Sequence, residues 1–309
     1  MSDLVIVFAG SPAAAVPSLQ ALTASRHEVA AVLTRDDSPR GRRRELTPTA
    51  VASAAGELGL PIIRANRLAG PATAEITALR PDLGVIVAYG GLVREPLLSV
   101  PRLGWINLHF SLLPRWRGAA PVQRAIIAGD EVTGASVFQL VPELDAGDVF
   151  GQFTQAIGAH ETAGHLLDSL AVSGAELLVR VVDAIADGIA RAEPQRGDVT
   201  LAPKLELADA RLDFAEHAST VFDRLRGVTP EPGAFTQVDD VRVKVLEAAI
   251  VRDQPPLAPG QLELRDGRVL VGTASDPLEL VSVHPAGKKP MRAADWWRGR
   301  PAGAGTVAR

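Results

Sequence analysis

The sequence predicts an α/β fold, a mostly parallel sheet with helices on both faces, followed by a small β-barrel. Three observations predict it. Uninterrupted apolar runs such as Leu4 to Ala9 (LVIVFA) and Leu83 to Tyr89 (LGVIVAY) have the length and composition of strands covered on both faces. Segments long enough for a covering helix separate such runs, a rhythm that implies right-handed crossovers. Beyond Ala192 the pattern changes to brief alternating runs punctuated by Gly, Pro and Asp, as short antiparallel strands require. The sheet is therefore expected to be Rossmann-like and the barrel OB-like, with residues 1–191 as the first domain, 192–206 as a linker and 207–309 as the second domain.

In chain order, Leu4 to Ala9 is the first strand, and Gly10-Ser11-Pro12 turns it into a helix with Ser11 as N-cap, Pro12 in the first turn and Pro17 delaying the regular part. GSPAAA is not the GxGxxG fingerprint and no GxxxxGK follows, so this start carries no dinucleotide or phosphate-loop signature. A second strand, Glu28 to Thr34, runs into Arg35 to Arg44 (RDDSPRGRRR), five arginines in ten residues, read as a mobile loop. Such a run is either a solvated surface or an arm that pairs with backbone phosphates.

A helix from Thr47 to Leu58, a strand from Pro61 to Arg64, a helix from Pro71 to Leu79 and the Leu83 to Tyr89 strand continue the rhythm. The strand Trp105 to His109 comes next, then a helix from Ala119 to Ala128 and strands at Gly134 to Val141 and Val149 to Ala156. Apolar residues three and four apart between His160 and Arg191 predict a long helix. After the Pro-containing segment beyond Ala192, a helix near His217 to Arg226 precedes five short strands within Phe235 to His284. The final RPAGAGTVAR reads as a loose tail.

With 309 residues, 47% hydrophobic and 22% charged, the chain can bury the core of one large or two ordinary domains. No apolar run nears the roughly 18 to 20 residues of a membrane span, and MSDLVIVFAG is unlike a signal peptide, so a cytoplasmic protein is expected. Zero cysteines exclude disulfides, thiolate nucleophiles and Cys-type zinc sites, and the six histidines lack HxxxH or HExxH spacing; no metal is expected. The net charge of -4 argues against indiscriminate nucleic-acid binding but says nothing of local basic patches.

The stretch Trp105 to Pro121 (WINLHFSLLPRWRGAAP) carries the chemistry-bearing pattern. Side chains two apart on a strand share a face, so Asn107 and His109 leave the sheet together, and Ser111, Pro114 and Gly118 then force a loop. Polar groups at a strand end followed by a loop are where open α/β sheets place their sites. A satisfied core histidine is the competing account of His109, and alternation alone does not separate the two. For Asp145, in the turn PELDAGD, the plain account is a turn or capping residue.

Taken together, INLHFSLLPRWRGAAPVQRAI, ELDAGDV, VFAGSP and HPAGKKPM resemble the 10-formyltetrahydrofolate-dependent formyltransferases over nearly the whole chain. NLHxSLLP with a downstream LDxGD is shared by that family, and PRWRGAAPVQ with PAGKKPM narrows the resemblance to its methionyl-tRNA branch. The resemblance implies Asn107, His109 and Asp145 as the catalytic trio, and Ser111, Leu112, Leu113 and Pro114 as folate-binding. It implies 10-formyltetrahydrofolate as co-substrate without a metal, and initiator methionyl-tRNA as the partner of a monomeric, non-membrane enzyme. Family members carry a GRGKK-like loop; RGRRRE here keeps the charge, replaces Lys by Arg and lacks the second glycine. Arg40, Arg42, Arg43 and Arg44, with Lys288 and Lys289 and with Arg115 and Arg117 beside the site, are the expected tRNA contacts. An aminosugar-nucleotide formyltransferase and a catalytically silent RNA-binding relative are the alternatives.

The residue types suit formyl transfer. As an amine attacks the formyl carbon, its carbonyl oxygen gains negative charge that two preorganised donors stabilise. Asn107 and His109, on one strand face, form such a pair, and Asp145 near His109 is expected to favour the imidazolium and orient the ring. No GxSxG elbow and no Cys offers a covalent formyl carrier, so transfer is expected to be direct.

Overall fold

The apolar runs of the N-terminal half pair into one seven-stranded sheet. Its strands are β1 (Val5–Gly10), β2 (Glu28–Thr34), β3 (Ile62–Arg64), β4 (Leu83–Val87), β5 (Trp105–His109), β6 (Val132–Gln139) and β7 (Val149–Ala156), in the order β7-β6-β5-β4-β1-β2-β3. Neighbours from β3 through β5 are parallel; β6 runs antiparallel to β5, and β7 to β6. Every residue of β4 is buried, as a central strand requires, whereas β7 alternates from Gly151 onward as an edge strand covered on one face. This is the mostly parallel, Rossmann-like sheet the sequence predicts. The computed structural model describes residues 3–40, 45–300 and 307–309.

The chain lays β2 and β3 on one side of β1, then crosses to place β4 on the other. Sheet growth therefore reverses at β1, and open α/β sheets hold ligands outside the C-terminal strand ends at such a reversal. Because β5 is parallel to β4, it delivers His109 to that same end. Its start is fixed by packing: Trp105 is fully buried against Gly84, where any Cβ would run into the indole ring, and its Nε1–H donates to the Leu97 carbonyl at 2.9 Å. Ile86, Tyr89 and Leu97 share a buried cluster with Trp105, while Leu83, Val85, Ile106 and Leu108, which alternate to the other face, are buried as well.

Helix α1 (Val16–Thr23) follows a short 3-10 turn at Ala13–Ala15 and has Pro17 in its first turn. Contrary to expectation Ser11 does not cap it, because Pro12 moves the helix start out of the serine's reach. Ser11 Oγ instead donates to the Tyr89 carbonyl at 3.1 Å, tying together the segments that follow β1 and β4. Helix α2 (Ala50–Glu57) begins later than the expected Thr47, since Thr49 is its N-cap and accepts from the Ala52 N–H at 3.0 Å. Helices α3 (Pro71–Ala78), α4 (Pro121–Ile127) and α5 (Ala163–Ala186) lie within their expected spans. Leu166, Leu170, Leu178 and Val182, one face of α5, are completely buried.

The arginine-rich stretch departs from the open loop expected of it. Ser38–Arg40 pairs antiparallel with Glu45–Thr47, and Pro39 is tolerated because a two-stranded ribbon has a free edge for a residue without an N–H.

The chain divides into two compact units, Met1–Pro121 with Val132–Ala156 and Leu167–Ala202, and Val122–Glu131 with Ile157–Leu166 and Pro203–Arg309. The second holds an antiparallel sheet of β8 (Phe235–Val238), β9 (Val241–Ile250), β10 (Leu262–Arg265), β11 (Arg268–Val271), β12 (Leu278–Pro285) and β13 (Met291–Arg292), ordered β8-β9-β12-β11-β10 with β13 beside β12. Helices α6 (Ala218–Gly227) and α7 (Ala293–Arg298) bury Phe222, Leu225 and Trp296 among Val243, Val269 and Leu280 of this sheet. Of the loose tail expected, residues 301–306 lie outside the described residues, and the last three residues are paired. Val307 bridges Gln261, Ala308 bridges Val238, and Gln237 and Arg309 exchange backbone hydrogen bonds at 2.9 Å, so the sheet's unpaired edges hold them. Among the described residues no helix is long and apolar enough to cross a membrane.

Candidate active site

At the C-terminal end of β5 the chain places Asn107 and His109 on one face, Asn107 half-buried and His109 buried. His109 Nε2 lies 2.8 Å from the Trp116 carbonyl oxygen. A carbonyl only accepts, so Nε2 carries a proton and donates. The other ring nitrogen, Nδ1, faces Asp145 Oδ2 at 3.8 Å, beyond hydrogen-bond length. Burial pushes the imidazole below its ordinary pKa, against the opposing pull of the Asp145 charge and the Trp116 hydrogen bond. The ring is therefore neutral near pH 7, with an unprotonated Nδ1 turned toward a carboxylate. Asp145 does favour the imidazolium, as expected of it, but desolvation outweighs its charge.

Asp145 reaches this position from the turn between β6 and β7, where its own backbone adopts φ 46°, a region non-glycine residues rarely occupy. Its Oδ2 accepts the Gly118 N–H at 2.8 Å. Gly118 has φ 128°, and a Cβ there would sit 2.6 Å from the Ala202 carbonyl oxygen, so only glycine lets this backbone approach both Asp145 and the 201–202 segment. Asp148, the turn's other aspartate, is exposed.

The SLLP turn is braced from within. Ser111 Oγ donates to the Arg115 carbonyl at 2.6 Å. Ser136 Oγ donates to the Ser111 carbonyl at 2.6 Å and accepts from Leu113 N at 3.2 Å and Gln152 Nε2 at 2.8 Å, while the same Gln152 amide donates to the Leu113 carbonyl at 3.1 Å. Ser111, Leu113 and Pro114 are buried, which leaves Leu112 as the half-exposed side chain of the four expected to hold folate. An open pocket of about 360 Å³ adjoins this turn, lined by Leu113, Gln152, Arg191, Gln195 and Arg196 among others.

Residues 193–202, read from their prolines and mixed charge as part of a linker, run along the site. Glu193 bridges Val149, Thr200 Oγ1 accepts from Trp116 N at 2.9 Å, and Leu201–Ala202 pairs in parallel with Arg117–Gly118. Gln195 donates to the carbonyls of Asp145 and Gly147 at 2.7 and 2.8 Å and accepts from Arg117 Nε and Nη2 at 3.1 and 2.7 Å. Arg117 Nη1 also lies 3.5 Å from Glu143 Oε1, and Arg115 stands exposed over the Trp116 ring at 5.5 Å. No spacing or motif in the sequence marks Ser136, Gln152, Gln195 or Thr200.

The structure thus brings together His109 and Asp145, puts Asn107 on the same strand face and sets the SLLP turn directly after it. Lys288 and Lys289 are exposed on the turn after β12 in the second unit. Arg42, Arg43 and Arg44 lie outside the described residues, as does the side chain of Arg40. Among the described residues no group of three or more His, Asp or Glu side chains could hold a metal.

The family model described as "Formyl transferase" matches residues 3–182, and that described as "Formyl transferase, C-terminal domain" matches residues 204–301. A Clavibacter sepedonicus protein named methionyl-tRNA formyltransferase is 64% identical over 294 residues, covering 95% of this chain and 96% of its own. Among solved structures, the N-formyltransferase of Helicobacter canadensis, in complex with folinic acid and dTDP-3-aminofucose, has a TM-score of 0.69 at 14% identity, covering 90% of this chain and 98% of that one. HypX of Aquifex aeolicus in complex with tetrahydrofolic acid has a TM-score of 0.63 at 18% identity, covering 96% of this chain and 47% of that one. At such identities these two share the fold.

Proposed function

We propose that this chain, which belongs to the formyl transferase family, carries a formyl group from 10-formyltetrahydrofolate to the α-amino group of methionyl initiator tRNA. The observation that carries this reading is the apposition of His109 and Asp145 beside Asn107, in a chain that aligns over 95% of its length with a relative named methionyl-tRNA formyltransferase. The α-amino group has a reference pKa of about 7.7 to 8.0, which its aminoacyl ester lowers, so its neutral form attacks without a strong protein base. The new N–C bond forms as charge gathers on the formyl oxygen, and the C–N10 bond then breaks. Asn107 donates to that oxygen. His109 offers its Nε2–H, which the Trp116 carbonyl holds in the free enzyme as the formyl oxygen holds it in the reaction. The unprotonated Nδ1 and the Asp145 carboxylate together take the proton lost by the amine and return it to the departing folate nitrogen.

In this reading the first domain, 1–191, does the chemistry, the segment 192–206 connects it to the second, and the second domain, 207–309, helps hold tRNA. Its sheet is taken as an OB-like barrel, supported by the chain end that bridges β8 through Ala308 and the start of β10 through Gln261. Arg40, Arg42, Arg43, Arg44, Lys288 and Lys289 supply phosphate contacts, and Ser111, Leu112, Leu113 and Pro114 shape the folate wall. The enzyme works as a cytoplasmic monomer.

A nucleotide-linked aminosugar is the competing acceptor, on the strength of the Helicobacter canadensis complex alone. A single-turnover assay from 10-formyltetrahydrofolate, offering charged initiator tRNA and an aminosugar nucleotide together, separates the readings. Formyl is expected on the tRNA. Formylation of the sugar alone overturns the proposal, and transfer to neither favours the silent RNA-binding relative.

A further inference from the structure

We infer that Gln195 is the positioning residue that sets Asp145 against His109, so that the segment between the two halves of the chain is part of the catalytic apparatus. Its amide makes all four hydrogen bonds available to it: both N–H groups donate, to the carbonyls of Asp145 and Gly147, and the oxygen accepts twice from the Arg117 guanidinium. The orientation is unambiguous, since turning the amide over would set its N–H groups against those of Arg117 and its oxygen against two carbonyls.

The two carbonyls it grips bracket the strained part of the turn. Asp145 holds a left-handed backbone at φ 46° without being glycine, and such a conformation persists only where the surroundings over-determine it. Held in that way, the Asp145 carboxylate points back to the Gly118 N–H at 2.8 Å and to His109 Nδ1 at 3.8 Å. On its other side Gln195 fixes Arg117, the residue just before Gly118. One side chain therefore clamps both loops that meet at the Asp145 carboxylate.

Gln is the side chain that can do this. Glu keeps the acceptor for Arg117 but faces two carbonyls with an oxygen; Leu keeps the bulk and neither half of the clamp. The inference rests on the formyl-transfer reading for its kinetic consequence, and on geometry for its structural one.

The test compares Gln195→Leu, Gln195→Glu, Asp145→Asn and the double variant Gln195→Leu/Asp145→Asn with the wild type, in formyl transfer to charged initiator tRNA and in hydrogen exchange at the Gly118 amide. Each Gln195 variant is expected to lower kcat about 10- to 100-fold with the KM values for folate and tRNA little changed. Gln195→Leu should add little once Asp145 is already Asn, because the two act through one contact. Gly118 exchange should be faster in both Gln195 single variants. Wild-type kcat in folded Gln195→Glu, an equal loss in the wild-type and Asp145→Asn backgrounds, or unchanged Gly118 exchange each overturns the inference. A wild type inactive on tRNA but with Gly118 exchange that quickens on substitution would refute the substrate and keep the clamp.

Discussion

Asn107 and His109 stand on β5, a strand paired on both sides by β4 and β6, whereas Asp145 stands on a turn that side chains hold: Gln195 from the 193–202 segment grips its carbonyl, and its carboxylate meets Gly118. The strand half owes its geometry to a backbone ladder and to Trp105 packed on Gly84. The turn half owes its geometry to hydrogen bonds among residues far apart in sequence. A strand so fixed can lose a side chain without moving, while a turn so held can be moved by a residue that touches no substrate.

The largest effect should come from the strand half. Asn107→Ala and His109→Ala are each expected to lower kcat about 10²- to 10³-fold, the cost of one donor to a developing oxyanion, with little change in the KM for tRNA. Near-normal kcat in either would remove that residue from the chemistry. Unchanged melting of Asn107→Ala would sharpen the comparison, since Asn107 is only half-buried on a strand secured elsewhere.

Gly118→Ala probes the turn half and should give a smaller loss of rate with a larger loss of stability. A residue other than glycine at φ 128°, with its Cβ 2.6 Å from the Ala202 oxygen, should cost about 1–3 kcal/mol in urea denaturation and lower kcat by pulling the Gly118 N–H away from Asp145. A variant as stable as the wild type would show that the 117–118 backbone gives way freely and that the turn half is looser than its hydrogen bonds imply.

The same division decides what the sequence could reveal. Period-two alternation and uninterrupted apolar runs made the sheet, the strand carrying Asn107 and His109, and the loop after it legible, because those signals are local. Asp145 became legible as a site residue only through the resemblance, since an aspartate in a Gly-containing turn has an ordinary structural explanation. Gln195 and Thr200 were not legible at all. Their stretch reads as a connector because prolines and mixed charge describe its backbone, and nothing local announces that its side chains have partners at Asp145 and Trp116. Ser11 differs for the opposite reason: the local capping signal is real, but Pro12 displaces the helix and leaves the hydroxyl for Tyr89. The chain end failed likewise, because the pairing of Val307 and Ala308 comes from strands far back in the chain.

The smallest expected effect concerns the balance between the halves at His109, where burial on the strand side outweighs the carboxylate on the turn side. A ring whose folded pKa is depressed must be charged against burial, while in the unfolded chain it takes a proton at its ordinary value of about 6.5. Above that pH neither state holds the proton and the stability is fully present. As pH falls below about 6.5 the unfolded chain binds the proton first, and stability drains away until the folded pKa is reached. His109→Gln removes the titrating ring and keeps an N–H for the Trp116 carbonyl. The urea midpoint of the wild type should therefore fall more than that of His109→Gln between about pH 7 and pH 5. If the variant loses as much as the wild type, the Asp145 charge has cancelled the burial; if it loses more, the charge has outweighed the burial and the ring is an imidazolium partner of the turn.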